Sequence, residues 1–271
     1  ELAEASFREK AVSWVMAGGL IGAIVGPNLA SQSKGWFETP FMGAYVALTA
    51  VAVLGMVLMH FVKFPPVVEK VKGSSEGRPL SEIMKQPVFI VAAAAAALSY
   101  GVMNLLMAAT PLAMQVCGYQ FSDAALVLEW HVIGMFAPGF FTGHLIKKFG
   151  VLQIMGVGVL LNFVCIGIAL SGTELHQFVL ALFVLGVGWN FVFTGSTTLA
   201  MTAWRPEEKD RGQAAINFCV FATMALTSFA SGALVTTQGW TLLNYGSVVP
   251  VALTALALMW LVWIRKNQTA T

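Results

Sequence analysis

Charge is what this sequence has least of. Asp, Glu, Lys and Arg make up 10% of its 271 residues, where a soluble domain carries about a quarter. The 15 basic and 13 acidic side chains are too few to cover a water-soluble fold that is 58% hydrophobic. An ordinary soluble enzyme and a disordered chain are both excluded. The net charge of +2 offers little to a polyanion, so no nucleic-acid partner is expected. Cysteine is scarce as well. Cys117, Cys165 and Cys219 lie in or near apolar sequence and form no disulfide framework. His60, His131, His144 and His176 sit on different segments. The sequence contains no H-E-x-x-H, C-x-x-C or Walker-type glycine loop. Nothing therefore calls for a metal, a cofactor or enzymatic catalysis. Uphill work by such a chain would have to draw on an ion gradient.

What is present is apolar sequence in long runs. Crossing a bilayer as a helix takes about 20 mainly apolar residues, because the backbone must satisfy its own hydrogen bonds in lipid. Eight runs qualify, at about 11–31, 41–62, 88–115, 122–146, 150–171, 177–203, 213–236 and 241–264. The short alternating stretches of a barrel are absent. The expected fold class is all-α: a polytopic membrane helix bundle with eight transmembrane helices.

The placement of Lys and Arg tests that count. Taking the loops alternately, fourteen of the fifteen basic residues fall on one side, and Lys34 is alone on the other. The positive-inside rule then puts both termini of this chain in the cytoplasm, with the protein multi-pass in the cell (inner) membrane. One helix more or fewer would scramble the alternation.

The longest polar stretch, 63–87, holds five basic residues and Pro65, Pro66, Pro79 and Pro87. It reads as a cytoplasmic linker between bundles, with room for one interfacial helical turn at Pro79–Pro87. The expected organisation is two helices of a first bundle (1–62), the linker (63–87) and a six-helix second bundle (88–271). Arg8-Glu9-Lys10-Ala11, after Glu4, echoes Arg211-Gly212-Gln213-Ala214, after Glu207 and Glu208. The echo pairs the first two helices with the last two, as a parallel repeat of six-helix halves would. Four helices would then be missing ahead of Glu1, which makes the chain a fragment in this reading.

In the first run, Gly18, Gly22, Gly26 and Ala30 recur at spacing four, a face that admits a close helix partner, and Pro27 adds a bend. The stretch Gly22–Ala30 resembles the G-x-x-x-G-P-x-x-G-G motif on the fifth helix of the major facilitator superfamily, best known in its proton-coupled antiporters. Gly22, Gly26 and Pro27 match, and Ala30 departs from a Gly. A second stretch, Gly139 to Gly150, resembles the second-half copy of that superfamily's G-x-L-x-D-R-x-G-R motif. Gly143, Leu145, Lys148 and Gly150 fit. Lys147 stands in place of the Asp, which removes the acidic half of the latch attributed to it. Met103–Pro111 and Gly186–Phe191 look like drug-exporter-type permeases from prokaryotes. The resemblance covers the chain as helices five to twelve of twelve. It implies alternating access between two bundles and transport of a small organic solute. Efflux is favoured by the glycine-proline motif, and uptake of a nutrient or vitamin remains the close alternative.

Glu129, about eight residues into the fourth run, is the carboxylate most deeply set in an apolar segment. Such a group is costly in the membrane and marks a proton or ion path, so it is the proton-coupling candidate. A hydrogen-bonded Glu in a helix interface would look the same. His131 falls on a different face and reads as a packed or hydrogen-bonded His. Tyr100, Asn104 and Met107, with Pro111, form a polar-aromatic stripe on the third run that suits a cavity wall. Trp189, Asn190 and Thr194 on the sixth run and Asn217 on the seventh are the other cavity candidates, although interhelical hydrogen bonding accounts for such residues too. The loop Trp204–Arg211 mixes both charge signs and is either a salt-bridged gate or a solvated turn. The rival to a transporter is a non-transporting membrane protein, such as a receptor, lipid-acting enzyme or assembly component, complete with eight helices.

Overall fold

The computed structural model describes residues 8–62 and 77–268, with the side chains of 8–16 and 23 left aside; residues 63–76, most of the expected linker, lie outside the described residues. Among the described residues there is no strand. The chain divides into two compact units, Glu1–Ser74 and Ser75–Thr271.

The first unit is a helical hairpin of α1 (Arg8–Ser33) and α2 (Met42–His60). Their contact is tightest at the turn, where the Cα of Gly43 comes up against the backbone of Ser33 and no side chain would fit. Farther along, the helices diverge. Among the described residues, a Cβ on Gly18, Gly22 or Gly26 would meet nothing within 4 Å, so the glycine face receives no helix from its own unit. Gly22, Gly26 and Ala30 instead line a groove of about 440 Å³, with Phe41, Tyr45 and Leu48 opposite.

The second unit opens with the short α3 (Leu80–Met84), then α4 (Pro87–Val116), α5 (Phe121–Phe136) and α6 (Gly139–Phe149). It continues with α7 (Val151–Ser171), α8 (Leu175–Ala200) and α9 (Lys209–Gln268), the last preceded by a 3-10 turn at Pro206–Glu208. The apolar lengths of α2, α4, α7, α8 and α9 suffice to cross a membrane. At 60 residues α9 is about three times what one crossing needs, and Gly239 (φ 80°, ψ 172°) divides it into arms 209–238 and 240–268, each long enough for one. Each of the eight apolar runs thus lies on helix. The run 122–146 is the exception to simple correspondence. It is two helices, α5 and α6, meeting at an angle of 40°. Pro138 is the cause, since its ring displaces the preceding turn and it has no N–H to continue the ladder.

Helices α4 and α8 organise this unit: α4 packs against α8 and α9, and α8 also against α5 and α7. Ala92, Ala93, Ala95, Ala96 and Ala97 are all buried, and their small size lets the neighbouring helices close in. The same device joins α7 to α8. A Cβ on Gly158 would lie 2.7 Å from the Gly188 carbonyl oxygen, and one on Gly188 would lie 2.9 Å from that of Gly158. Backbones this close leave room for hydrogen at those positions and nothing larger.

Candidate functional site

Two polar or aromatic constellations stand out in the second unit. The first lies at one end of the bundle, where the segment ahead of α3 meets the turn between α8 and α9. Glu208 is completely buried. Its Oε1 accepts from the backbone N–H of Arg78 at 2.7 Å and from Arg78 Nε at 2.9 Å. Its Oε2 accepts from Arg78 Nη2 at 2.7 Å and from the Arg205 N–H at 2.9 Å. Arg78 Nη2 and Gln86 Nε2 both donate to the Ala203 carbonyl, at 3.0 and 2.8 Å. Hydrogen bonding from Arg78 holds the Glu208 carboxyl far below the usual carboxylate range, outweighing burial, and Glu208 in turn raises Arg78. Gly77 is pressed against this pair. Its φ of +64° suits glycine, and a Cβ there would come within 2.7 Å of Glu208 Cγ. The mixed-sign loop Trp204–Arg211 is therefore a bonded node within the second unit.

The second constellation is aromatic and lies where α4, α5 and α8 meet. Trp189 and Phe193, one turn apart on α8, stack with centroids 5.0 Å apart and an interplanar angle of 10°. Tyr100 of α4 stands edge-on to both, at 5.4 and 5.5 Å. Met103 and Met135 are buried beneath, while Met107, Val132, Phe136, Tyr100 and Phe193 are only partly covered. Trp189 is 8% exposed, and its indole N–H has no hydrogen-bond partner among the described residues. An unpaired buried donor costs about 1–3 kcal/mol, which native structures rarely leave unrecovered.

The structure brings Tyr100, Met107 and Trp189 together in this cluster. The amides at neighbouring positions are committed elsewhere. Asn104 Nδ2 lies 3.2 Å from the Met224 carbonyl, 3.0 Å from Thr227 Oγ1 and 2.8 Å from Ser228 Oγ, fastening α4 to α9. Asn190 is buried and bonded to both α5 and α6. Thr194 is half-buried, and its carbonyl accepts from the hydroxyls of Thr197 and Thr198. Asn217 is exposed, its Oδ1 accepting from Gln213 Nε2 at 3.0 Å. Glu129 is half-buried on α5. Val132 and Phe136 follow it at i+3 and i+7, so helical geometry puts Glu129 on the α5 face that enters the cluster, one turn away. His131 is fully buried, with Nδ1 at 2.7 Å from the Leu182 carbonyl, so that nitrogen carries the proton.

Of the motif glycines in the second unit, Gly150 has a conformational reason: its φ of +95° makes the turn from α6 into α7. Gly143 has open space around it among the described residues, and Lys148 is exposed beside the Phe149 ring, 5.1 Å from its centroid. Sequence reasoning did not single out Phe193, Met135 or Phe136, though Phe193 sits one turn from Trp189. It also did not join Arg78 to Glu208, 130 positions apart. Among the described residues no group of three His, Cys, Asp or Glu side chains gathers to hold a metal.

Comparison with known proteins agrees with this architecture. A riboflavin transporter of Brucella anthropi, RfnT, is 37% identical over 247 residues, covering 90% of this chain and 62% of its own length. An uncharacterized MFS-type transporter of Bacillus subtilis, YddS, is 25% identical over 285 residues, 99% of this chain and 65% of that protein. A second from the same organism, YdeG, is 26% identical over 250 residues, 86% of this chain and 57% of that one. The chain thus spans less than two thirds of the length of each relative. The family model for the Major Facilitator Superfamily matches residues 1–221 and again 130–271, which together take in the whole sequence. The chain belongs to the Major Facilitator Superfamily.

Proposed function

We propose that this chain is part of a non-enzymatic membrane carrier that moves a small planar aromatic solute by alternating access, coupled to protons through Glu129. The observation that carries the reading is the partly covered aromatic cluster with an unspent donor, the Trp189 N–H. A flat conjugated ring with a carbonyl or ring nitrogen at its edge fits both features. Its face stacks on Tyr100 or Phe193 beside Met107, and its edge accepts from the indole. The 37% identical riboflavin transporter supports a solute of this type, since a flavin is such a ring. Thr194 on α8 and Asn217 on α9 serve as outlying contacts.

Glu129 is the ionisable residue of α5 that shares the face leading to the cluster. A carboxyl there can take a proton from one side of the membrane and release it when the cavity opens to the other. In the carrier we propose, this chain supplies the last eight of twelve helices, with both of its termini in the cytoplasm. The linker 63–87 joins the bundles, and Gly18, Gly22, Gly26 and Pro27 pack the first of them.

The test uses the full-length protein in sealed proteoliposomes with radiolabelled riboflavin. Accumulation driven by an imposed pH gradient is expected. The sign of the effective gradient distinguishes proton symport, which imports, from antiport, which exports. Glu129→Gln keeps shape and hydrogen bonding but fixes the neutral form. It should abolish gradient-driven accumulation and leave riboflavin exchange across the membrane within about threefold of the parent. Gradient-driven accumulation at the parental rate by the Gln variant would remove Glu129 from the coupling.

A further inference from the structure

The break between α5 and α6 is bridged by a single side chain from another helix. Pro138 has no N–H to offer the preceding turn, and the Met135 carbonyl looks for its helical partner, four residues on, beyond the proline. Asn190 Nδ2 donates to that Met135 carbonyl at 2.7 Å. On the far side of the break, Thr142 Oγ1 donates to Asn190 Oδ1, also at 2.7 Å. One amide thus holds the end of α5 with its nitrogen and the start of α6 with its oxygen. Asn190 is 3% exposed and Thr142 is fully buried, so both ends of the bridge are sheltered.

Two further observations connect this bridge to the aromatic cluster. Met135, whose carbonyl Asn190 holds, contributes its side chain to the cluster, and Trp189 is the residue next to Asn190. The Thr142 hydroxyl also lies 2.7 Å from the Pro138 carbonyl. It has one proton and two acceptors, so it can serve the bridge or the internal turn of α6, and a rotation about one bond exchanges them.

We propose that Asn190 is a positioning residue. It sets the bend of α5–α6 through Met135 and Thr142, and thereby keeps Met135 and Trp189 facing each other in the cluster, without itself touching the solute. Its effect on transport rests on the proposed carrier function, and its effect on the bend on geometry alone.

The experiment uses the full-length protein, with spin labels at the exposed positions Leu126 and His144 on either side of the break. The label-to-label distance distribution is recorded without any solute. Asn190→Ala, Thr142→Val and the double variant are compared, with Thr142→Ser as the conservative rescue. Thr142→Val keeps the volume and guards against a misfolded Asn190 variant. Each single variant should broaden or shift the distribution, the double variant should add nothing to the larger single effect, and Thr142→Ser should restore the parental distance. With riboflavin as the probe, both single variants should lower the transport rate about tenfold while the dissociation constant stays within about threefold.

An unchanged distance distribution in both single variants overturns the proposal. So does a tenfold loss of riboflavin affinity in Asn190→Ala with Thr142→Val unaffected, because that pattern marks a solute contact. If the parent neither binds nor moves riboflavin, the solute reading fails on its own, and the distance measurements still decide the role of Asn190.

Discussion

Glu208 and Trp189 are both buried and both polar, yet the protein treats them in opposite ways. Every oxygen of Glu208 is engaged, by three groups of Arg78 and one backbone N–H of Arg205. The indole N–H of Trp189 finds no partner among the described residues, amid rings that interact only through their faces and edges. A carboxylate sealed from water without full pairing would be strongly destabilising, so its surroundings must be completed during folding. An unpaired indole donor costs far less, and a fold can carry that cost where something else completes the bond. The saturated node fixes architecture; the unsaturated cluster keeps a bond in reserve.

Breaking the node should give the largest effect. Glu208→Gln leaves the Arg78 guanidinium without its counter-charge, and its thermal midpoint should fall further than that of Trp189→Phe or Asn217→Ala. The pH dependence follows from the direction of the shift. Because the folded state holds Glu208 below its ordinary value of 4.5, the pair's stabilisation is complete above the ordinary carboxylate range. It is lost as pH falls through the lowered folded value. Thermal melts of parent and variant should therefore differ by a constant amount between about pH 6 and 8 and converge only in strong acid. A difference that varies across neutral pH would mean the node titrates where the cell operates.

Substitution in the cluster should separate affinity from stability. Trp189→Phe removes the unspent donor and leaves a small void, two changes of opposite sign for the free protein. We expect the ligand-free thermal midpoint to move little and riboflavin affinity to weaken by up to about tenfold, one neutral hydrogen bond's worth. Fluorescence quenching measured through the remaining tryptophans is confounded, so equilibrium dialysis with labelled riboflavin is the appropriate readout. A large drop in midpoint with unchanged affinity would make the cluster ordinary core. The smallest effect is expected at Asn217, which is exposed and bonded to Gln213 within its own helix. Asn217→Ala should change stability by no more than about 0.5 kcal/mol in chemical denaturation. A tenfold transport defect there would make it a principal solute contact and not an outlying one.

The parts of this molecule legible in its sequence are those set by local chemistry. Apolar run length locates the helices, and the short polar gap at 237–240 marks the division of α9 at Gly239. The bend in run 122–146 has a visible cause in Pro138, but a proline inside a helix does not by itself declare a break. Pro111 and Pro250 sit inside α4 and α9 without one. The fate of the amides is not legible at all. Asn104 and Asn190 look alike in sequence, each on an apolar helix beside an aromatic or sulfur-bearing residue. Which way each is spent depends on helices 48 to 124 positions away, namely Thr142 for one and Ser228 for the other. Periodicity records which residues share a face, and partner helices decide what that face meets. The glycine stripe of α1 behaves likewise, since its spacing is plain while the described residues of its own unit offer no helix to fill it.

The separation of Arg78 from Glu208 also bears on how the chain is made. At a synthesis rate of about 5–20 residues per second, the 130 positions between them take roughly 7 to 26 s to translate. Through that interval α3, with its fully buried Ile83, lacks the surface on which it comes to rest, because the α8–α9 turn does not yet exist. The order of synthesis favours the costlier member of the pair. The half-exposed guanidinium, able to wait in water, leaves the ribosome first, and the carboxylate destined for complete burial emerges with its counter-ion already in place to meet it.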